Sequence, residues 1–102
     1  MNEDVEKRIA DIHGIIERER EALADLFHKS SALKPQLRDI TAMINLVEGG
    51  CLDPEILAEP RTAAQWKYWL DSAMALLDPA IKQREYLAEL FVKFGPDIKF
   101  IP

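Results

Sequence analysis

Apolar residues recur every three or four positions through the first half of the chain, between Val5 and Val47. This spacing is that of one face of an α-helix, and a strict seven-residue repeat favours wrapping around a partner helix. Only Glu19 and Ser30 are polar on this repeat. Its positions are Val5, Ile9, Ile12, Ile16, Glu19, Leu23, Leu26, Ser30, Leu33, Leu37, Ile40, Ile44 and Val47. The pattern predicts an elongated protein whose helices pack together, and it specifies no chemistry.

Pro35 is the first residue that interrupts this segment. Proline removes a helical hydrogen bond and disfavours the helical conformation of the residue before it. Two structures fit: one helix kinked near Ser31, or a break followed by a new helix with Pro35 in its first turn. Because the repeat passes through Pro35 in register, the pattern favours a kink or a very short break. Gly49-Gly50 then supplies a residue of positive φ for the helix end.

The second half of the chain opens with a capping box, in which Thr62 and Gln65 satisfy each other's backbone amides. Apolar residues again keep a seven-residue spacing, and Pro79 interrupts them once. The positions on this spacing are Trp66, Ala73, Ala80, Leu87 and Phe94. Residues 51–60 form the one long connection, and we expect only the loop 49–60 to reverse the chain fully.

These patterns predict an all-α protein, a hairpin of two long proline-interrupted helices with four helical segments and coiled-coil-like packing. Residues 1–95 form one helical hairpin or bundle domain, and residues 96–102 form an extended C-terminal tail. The shape is similar to that of the small secreted WXG-type helical hairpins. Gly49-Gly50-Cys51 stands where those proteins have a Trp-x-Gly turn, so the likeness is one of shape only.

The formal net charge of −5 argues against nucleic-acid binding, which requires a basic surface. The acidic start of the chain is not a secretory signal, and no apolar run is long enough to cross a membrane. A single cysteine excludes an intramolecular disulfide and fits a reducing compartment. We therefore expect a cytoplasmic protein that binds neither nucleic acid nor membranes.

Few residues suggest catalysis or metal binding. His13 and His28 are about 22 Å apart along a helix, too far to share a metal ion within one chain. Asp25 and His28 are one turn apart, but a di-metal site also needs carboxylates and a histidine from facing helices. Cys51 has no neighbouring base in sequence that would favour its thiolate. We expect no metal, no cofactor and no enzymatic activity.

The apolar repeat of the first helix is the predicted oligomer interface, because a helix this long would overhang a compact domain. The residues assigned to this homodimer contact are Val5, Ile9, Ile12, Ile16, Glu19, Leu23 and Leu26. A charge on such a repeat either faces solvent or fixes the pairing register. Glu19 therefore either lies on an exposed part of the helix or sits near the dimer axis.

Two tyrosines, Tyr68 and Tyr86, fall on one polar face of the second half and are candidates for binding a protein partner. Ile98, Phe100 and Ile101 make the tail too apolar for a free end, so we expect it to pack on the chain's own helices or on a partner.

The leading functional hypothesis is a non-enzymatic protein–protein interaction module, such as an adaptor, inhibitor or assembly subunit, with a partner that the sequence does not identify. An alternative is a helical homo-oligomer that binds a small ligand in its core. A metal-dependent hydrolase is a lesser alternative.

Overall fold

Three long helices dominate the computed structural model, which describes residues 2–97. They are α1 (Glu3–Lys29), α2 (Lys34–Cys51) and α4 (Ala63–Phe94), with the single-turn α3 (Pro54–Leu57) between the last two and a short 3-10 turn over Gly95–Asp97. Of residues 2–97, 87% are helical and none lies in a strand. It measures 50 × 22 × 18 Å, so the predicted all-α, elongated architecture is confirmed.

Helix α1 begins where its sequence provides a cap. The Asn2 side chain accepts a hydrogen bond from the Val5 amide at 2.8 Å. Glu3 and Asp4 place negative charge in the first turn, where it interacts favourably with the helix dipole. The helix ends at Lys29 because Ser30 takes an extended conformation, with φ −136° and ψ 109°. At about 40 Å, α1 runs along most of the molecule.

The chain reverses between α1 and α2, which corrects the prediction of a two-helix hairpin. Pro35 lies in the first turn of α2, so the first half is broken rather than kinked. Leu33, fully buried, holds this turn against the core. The apolar repeat continues through the break because two antiparallel helices and the turn between them all face the same core.

Gly49 and Gly50 do not end α2 in a left-handed conformation, contrary to expectation. Both are helical, and the helix continues to Cys51. Among the described residues only Gly95, at the end of α4, has a positive φ, of 70°. The reversal after α2 follows instead at residues 52–62, where Arg61 donates to the Ile56 carbonyl at 2.9 Å.

Helix α4 opens with the predicted capping box, in which the Gln65 amide donates to Thr62 Oγ1 at 3.2 Å and the Thr62 amide donates to Gln65 Oε1 at 2.9 Å. Pro79 was expected to interrupt this segment, but it lies inside one continuous helix of 32 residues. Its ring is on the exposed side, and packing of both flanking halves on one core holds the helix together.

Helices α1 and α4 run parallel, since Arg8 contacts Asp71 at 2.8 Å and Glu19 contacts Arg84 at 2.6 Å. Helix α2 runs antiparallel between them and completes one shared core. The buried apolar residues are Val5, Ile12, Ile16, Leu23, Leu26, Leu33, Leu37, Ile40, Ile44, Val47, Leu52, Trp66, Leu70, Ala73, Leu77, Ala80 and Leu87. The structure is therefore an up-down-up three-helix bundle rather than a hairpin.

Candidate interaction surface

The predicted oligomer interface on α1 lies inside the single chain. Six of its seven residues are between 1% and 8% exposed, and Ile9 is half-buried against the core. The six are Val5, Ile12, Ile16, Glu19, Leu23 and Leu26. Helices α2 and α4 cover this face because the reversal at Leu33 brings a third helix onto it. The overhanging apolar surface from which the dimer was predicted is therefore absent on α1.

Glu19 is not solvent-exposed, and the charge with which it pairs lies in the same chain. Its carboxylate accepts two hydrogen bonds from Arg84, from Nε at 2.7 Å and from Nη2 at 2.6 Å. The side chains of Glu19 and Arg84 are only 8% and 19% exposed. This bidentate pair raises the pKa of Arg84, chiefly through the hydrogen bond to Glu19. It fixes the alignment of α1 with α4.

The sequence contains a signal for this pair that was missed. Arg84 follows Leu70 and Leu77 at intervals of seven, so it is a charge on the core-facing repeat of α4. A single opposite charge on the repeat of each half suggests that the two meet in the folded chain.

The side chains that could support catalysis or metal binding do not form a cluster. His28 is exposed, whereas half-buried His13 lines a groove beside α3. Cys51 is half-buried, and burial raises the pKa of its thiol, which disfavours the nucleophilic thiolate. Within residues 2–97 no three His, Cys, Asp or Glu side chains form a group that could hold a metal ion.

Tyr68 and Tyr86 are exposed, at 74% and 53%, and belong to a longer surface that we call the α4 stripe. At about 100° per residue its members lie within about 80° of one another around the helix. The stripe consists of Tyr68, Ser72, Leu76, Pro79, Gln83, Tyr86, Leu90 and Phe94. Leu76 and Phe94 are also more than half exposed, at 57% and 56%. Helix α4 thus has a second apolar face, about 120° from the one that packs in the core.

No charged residue lies on the α4 stripe. Arg84 faces the core, and the other charged residues of α4 fall on the side of the helix adjoining the stripe. They are Lys67, Asp71, Asp78, Lys82, Glu85, Glu89 and Lys93. Several are neutralised locally: Lys82 bridges Asp78 at 2.9 Å and Lys67 bridges Asp71 at 3.0 Å. This segregation leaves one uncharged, partly aromatic band along α4.

Helix α2 also carries exposed apolar residues, and its C-terminal end is fixed against α4. The Trp69 indole donates to the Cys51 carbonyl at 2.9 Å, which fixes the C-terminal end of α2 against α4. Because the two helices are antiparallel, Leu46 lies level with the middle of α4. On α2, Leu46 is 75% exposed and Met43 is 38% exposed.

A separate groove of about 440 Å³ lies between α1 and α2. Its floor is apolar, and Arg38, His28 and Arg20 stand around it, the last of these bridging Glu48 at 3.1 Å. Lys34 lies 4.9 Å from the centre of the Phe27 ring in the same region, so the groove has a basic rim on an acidic protein. The remaining lining residues are Leu23, Ala24, Phe27, Leu37, Thr41, Ala42 and Asn45.

The predicted tail contacts through Ile98, Phe100 and Ile101 lie outside the described residues. In the part of the chain that is described, no helix has both the length and the hydropathy needed to cross a membrane. Comparison with protein-family models, with curated proteins and with solved structures found no match to this chain.

Proposed function

We propose that this protein is a non-enzymatic protein–protein interaction module, an adaptor, inhibitor or assembly subunit, that binds its partner through the α4 stripe. The observation that carries the proposal is an exposed, charge-free apolar band on a helix whose other apolar face is already buried in the core. Contiguous surfaces of this kind mark interaction sites, and tyrosine is enriched in them. The single cysteine and acidic charge fit action in the cytoplasm.

The test uses tagged wild-type protein and tagged Leu76→Glu as baits. Each bait is incubated with an extract of the native host to which an untagged copy of the chain has been added. Leu76 is exposed, so the substitution adds a charge to the α4 stripe without disturbing the core. Val92→Glu is the matched control, because Val92 is 85% exposed on the same helix but outside the stripe. The proposal expects a protein retained by wild type and by Val92→Glu and lost with Leu76→Glu. Equal retention by all three baits would overturn it.

A second candidate function is binding of a small apolar anion in the groove between α1 and α2. Its volume falls in the range of small-molecule sites, and its basic rim suits a carboxylate on an apolar body. Side chains fill the core of the single chain, so we propose this groove, instead of the core, as the site for a small ligand.

Dodecanoate is a suitable probe for the groove. Binding to the folded state raises the melting temperature by mass action. We expect Ala42→Trp, which fills the groove, to abolish that rise, and Ala75→Trp, on exposed α4, to retain it. Absence of any rise in the wild-type protein would exclude this candidate.

A further inference from the structure

The groove between α1 and α2 differs in charge from one end to the other. At one end, Lys34 lies 4.9 Å and Arg38 5.7 Å from the centre of the Phe27 ring, and these cation–π contacts hold both cations beside the groove. Among the described residues neither forms an ion pair with a carboxylate, whereas most of the other lysine and arginine side chains do. At the other end, Arg20 bridges Glu48 at 3.1 Å, so its charge is already compensated. The groove therefore has one cationic end and one neutral end.

Between these two ends the groove is apolar. Leu23, Ala24 and Ala42 line it, and the Thr41 hydroxyl donates to the Leu37 carbonyl at 2.8 Å, so this polar group is satisfied within its own helix. In the part of the chain that the structure describes, no aspartate or glutamate side chain lines the groove. An apolar body with one negative charge at one end matches this arrangement.

The dimensions of the groove favour a single extended chain. Its lining residues run from Arg20 to His28 on α1 and from Leu37 to Asn45 on α2, about 12 Å in each helix at 1.5 Å per residue. Packed helices lie about 8–10 Å apart, so the groove between them is narrower than a third helix, which is about 10–12 Å across. An unbranched hydrocarbon chain is thin enough to lie between the two helices.

We infer that the groove binds a single-chain carboxylate of the fatty-acid type, with its carboxylate at Lys34 and Arg38 and its chain extending toward Asn45. The inference rests on the second candidate function and adds the class and the direction of the ligand. The formal net charge of the chain is −5, so the preference for an anion comes from this local pair of cations and not from the protein as a whole.

The first experiment compares three ligands by isothermal titration calorimetry, each below its micelle-forming concentration. Dodecanoate should bind more tightly than decanoate, by up to about fourfold for each added methylene group. Dodecyltrimethylammonium, which has a chain of the same length but a positive charge, should bind more weakly than dodecanoate. Equal or tighter binding of the ammonium compound overturns the inference, as does an affinity for dodecanoate no higher than that for decanoate.

The second experiment tests the direction of the ligand with charge-removing variants whose fold is checked by circular dichroism. Arg38→Gln should weaken dodecanoate binding about three- to tenfold, and Lys34→Gln replaces it if that variant does not fold. The control is Lys7→Gln, at an exposed cation about 20 Å along α1 from Arg20, and it should not change the affinity. Arg20→Gln/Glu48→Gln removes the compensated pair and should also leave the affinity unchanged. A loss in this double variant as large as that in Arg38→Gln overturns the assigned direction.

The groove site and the inference fail in different ways. If Ala42→Trp abolishes dodecanoate binding but Arg38→Gln and Lys34→Gln leave it unchanged, the groove is a ligand site and the assigned direction is wrong. If no carboxylate binds the wild-type protein, both are wrong. Loss of a host protein from a tagged Ala42→Trp bait would then show that the groove docks a protein instead.

Discussion

At the scale of single residues, the two polar positions on the apolar repeat of the first half are both buried, but they differ in their hydrogen bonds. Glu19 is 6% exposed and makes two short hydrogen bonds to Arg84 across the bundle. Ser30 is fully buried where α1 ends, and its hydroxyl has no hydrogen-bond partner among the described residues. Glu19 therefore aligns two helices, whereas the buried hydroxyl of Ser30 lowers the stability of the fold.

We expect Glu19→Gln to lower the free energy of unfolding by about 3 kcal/mol, because it leaves the largely buried Arg84 without its counter-charge. The double variant Glu19→Leu/Arg84→Leu should recover most of that loss, since it removes both buried charges together. Urea denaturation followed by circular dichroism measures each value. A single substitution that costs less than about 0.5 kcal/mol would show that the pair does not hold the two helices in register.

Ser30→Ala should raise the free energy of unfolding by about 1 kcal/mol, because it removes a buried hydroxyl that makes no hydrogen bond within residues 2–97. The backbone bond from the Ser30 amide to the Leu26 carbonyl, at 2.9 Å, is unaffected by the change. Ser31→Ala, at the exposed next position, is the control and should change stability little. Destabilisation by Ser30→Ala would indicate that the hydroxyl makes a favourable interaction.

Asp71 should contribute a pH dependence. Hydrogen bonds from Lys67 and then Arg8 hold its pKa below the ordinary 3.8. A carboxyl with a lowered pKa in the folded state stabilises the fold above its ordinary pKa, and that stabilisation is lost as the pH falls through the lowered value. Asp71→Asn should therefore lose less stability than wild type on acidification below about pH 4, as measured by urea denaturation at several pH values. Glu89→Gln, an exposed acid on the same helix, controls for removal of one charge, and an Asp71→Asn profile identical to wild type would refute the assignment.

At the scale of elements, the three long helices end for different reasons. Helix α1 ends at an extended serine and α4 ends at Gly95, whose φ of 70° suits glycine. Helix α2, by contrast, continues through Gly49 and Gly50, so these two glycines carry the entropic cost of helical glycine without providing a cap. Nothing lies within 4 Å of a Cβ added at either position.

Gly49→Ala and Gly50→Ala should each raise the free energy of unfolding by about 0.5–1 kcal/mol, because alanine loses less backbone entropy in a helix. Gly95→Ala should lower it by about 1 kcal/mol, since alanine is strained at positive φ. Thermal and urea unfolding of the three variants provides the comparison. A loss of stability at Gly49 or Gly50 would contradict the helical assignment of this turn.

The helix boundaries show which features the sequence pattern predicts and which it does not. The caps at Asn2 and Thr62 are local hydrogen bonds between neighbouring residues, so the sequence predicts both. Pro35 and Pro79 place the same restrictions on the backbone, but only Pro35 coincides with a break between helices. Pro35 begins a helix after a reversal, whereas Pro79 is contained in α4 because the residues on both sides, such as Leu77 and Ala80, are buried in one core.

At the scale of the whole molecule, one core unites all three long helices. Buried side chains from α1, α2 and α4 meet along a molecule 50 Å long, and its radius of gyration of 16.0 Å exceeds the about 13 Å of a compact domain of this size. No helix can bury its apolar face without the other two. Cooperative unfolding is the expected consequence.

We expect tryptophan fluorescence, which reports on buried Trp66 and half-buried Trp69, to change at the same urea concentration as the helical circular dichroism signal. Leu77→Ala, at a fully buried position of α4, should shift both transitions together by about 2–5 kcal/mol of stability. Val92→Ala, at an exposed position of the same helix outside the α4 stripe, is the control for changes that do not reach the core. Two separate transitions would show that α4 unfolds independently of the other helices.

The sequence by itself determined the helical class, the helix starts at Asn2 and Thr62 and the apolar face of the first half, because these depend on local hydrogen bonds and on the period of apolar residues along one chain. It indicated Tyr68 and Tyr86 as exposed but not the α4 stripe to which they belong. Only the tertiary structure decided that the chain reverses at Leu33, that Glu19 pairs with Arg84, and that α4 rather than α1 has an uncovered apolar face. The physical reason is that an apolar repeat indicates only that a helix face is buried. Which helix covers that face depends on the turns that bring the helices together.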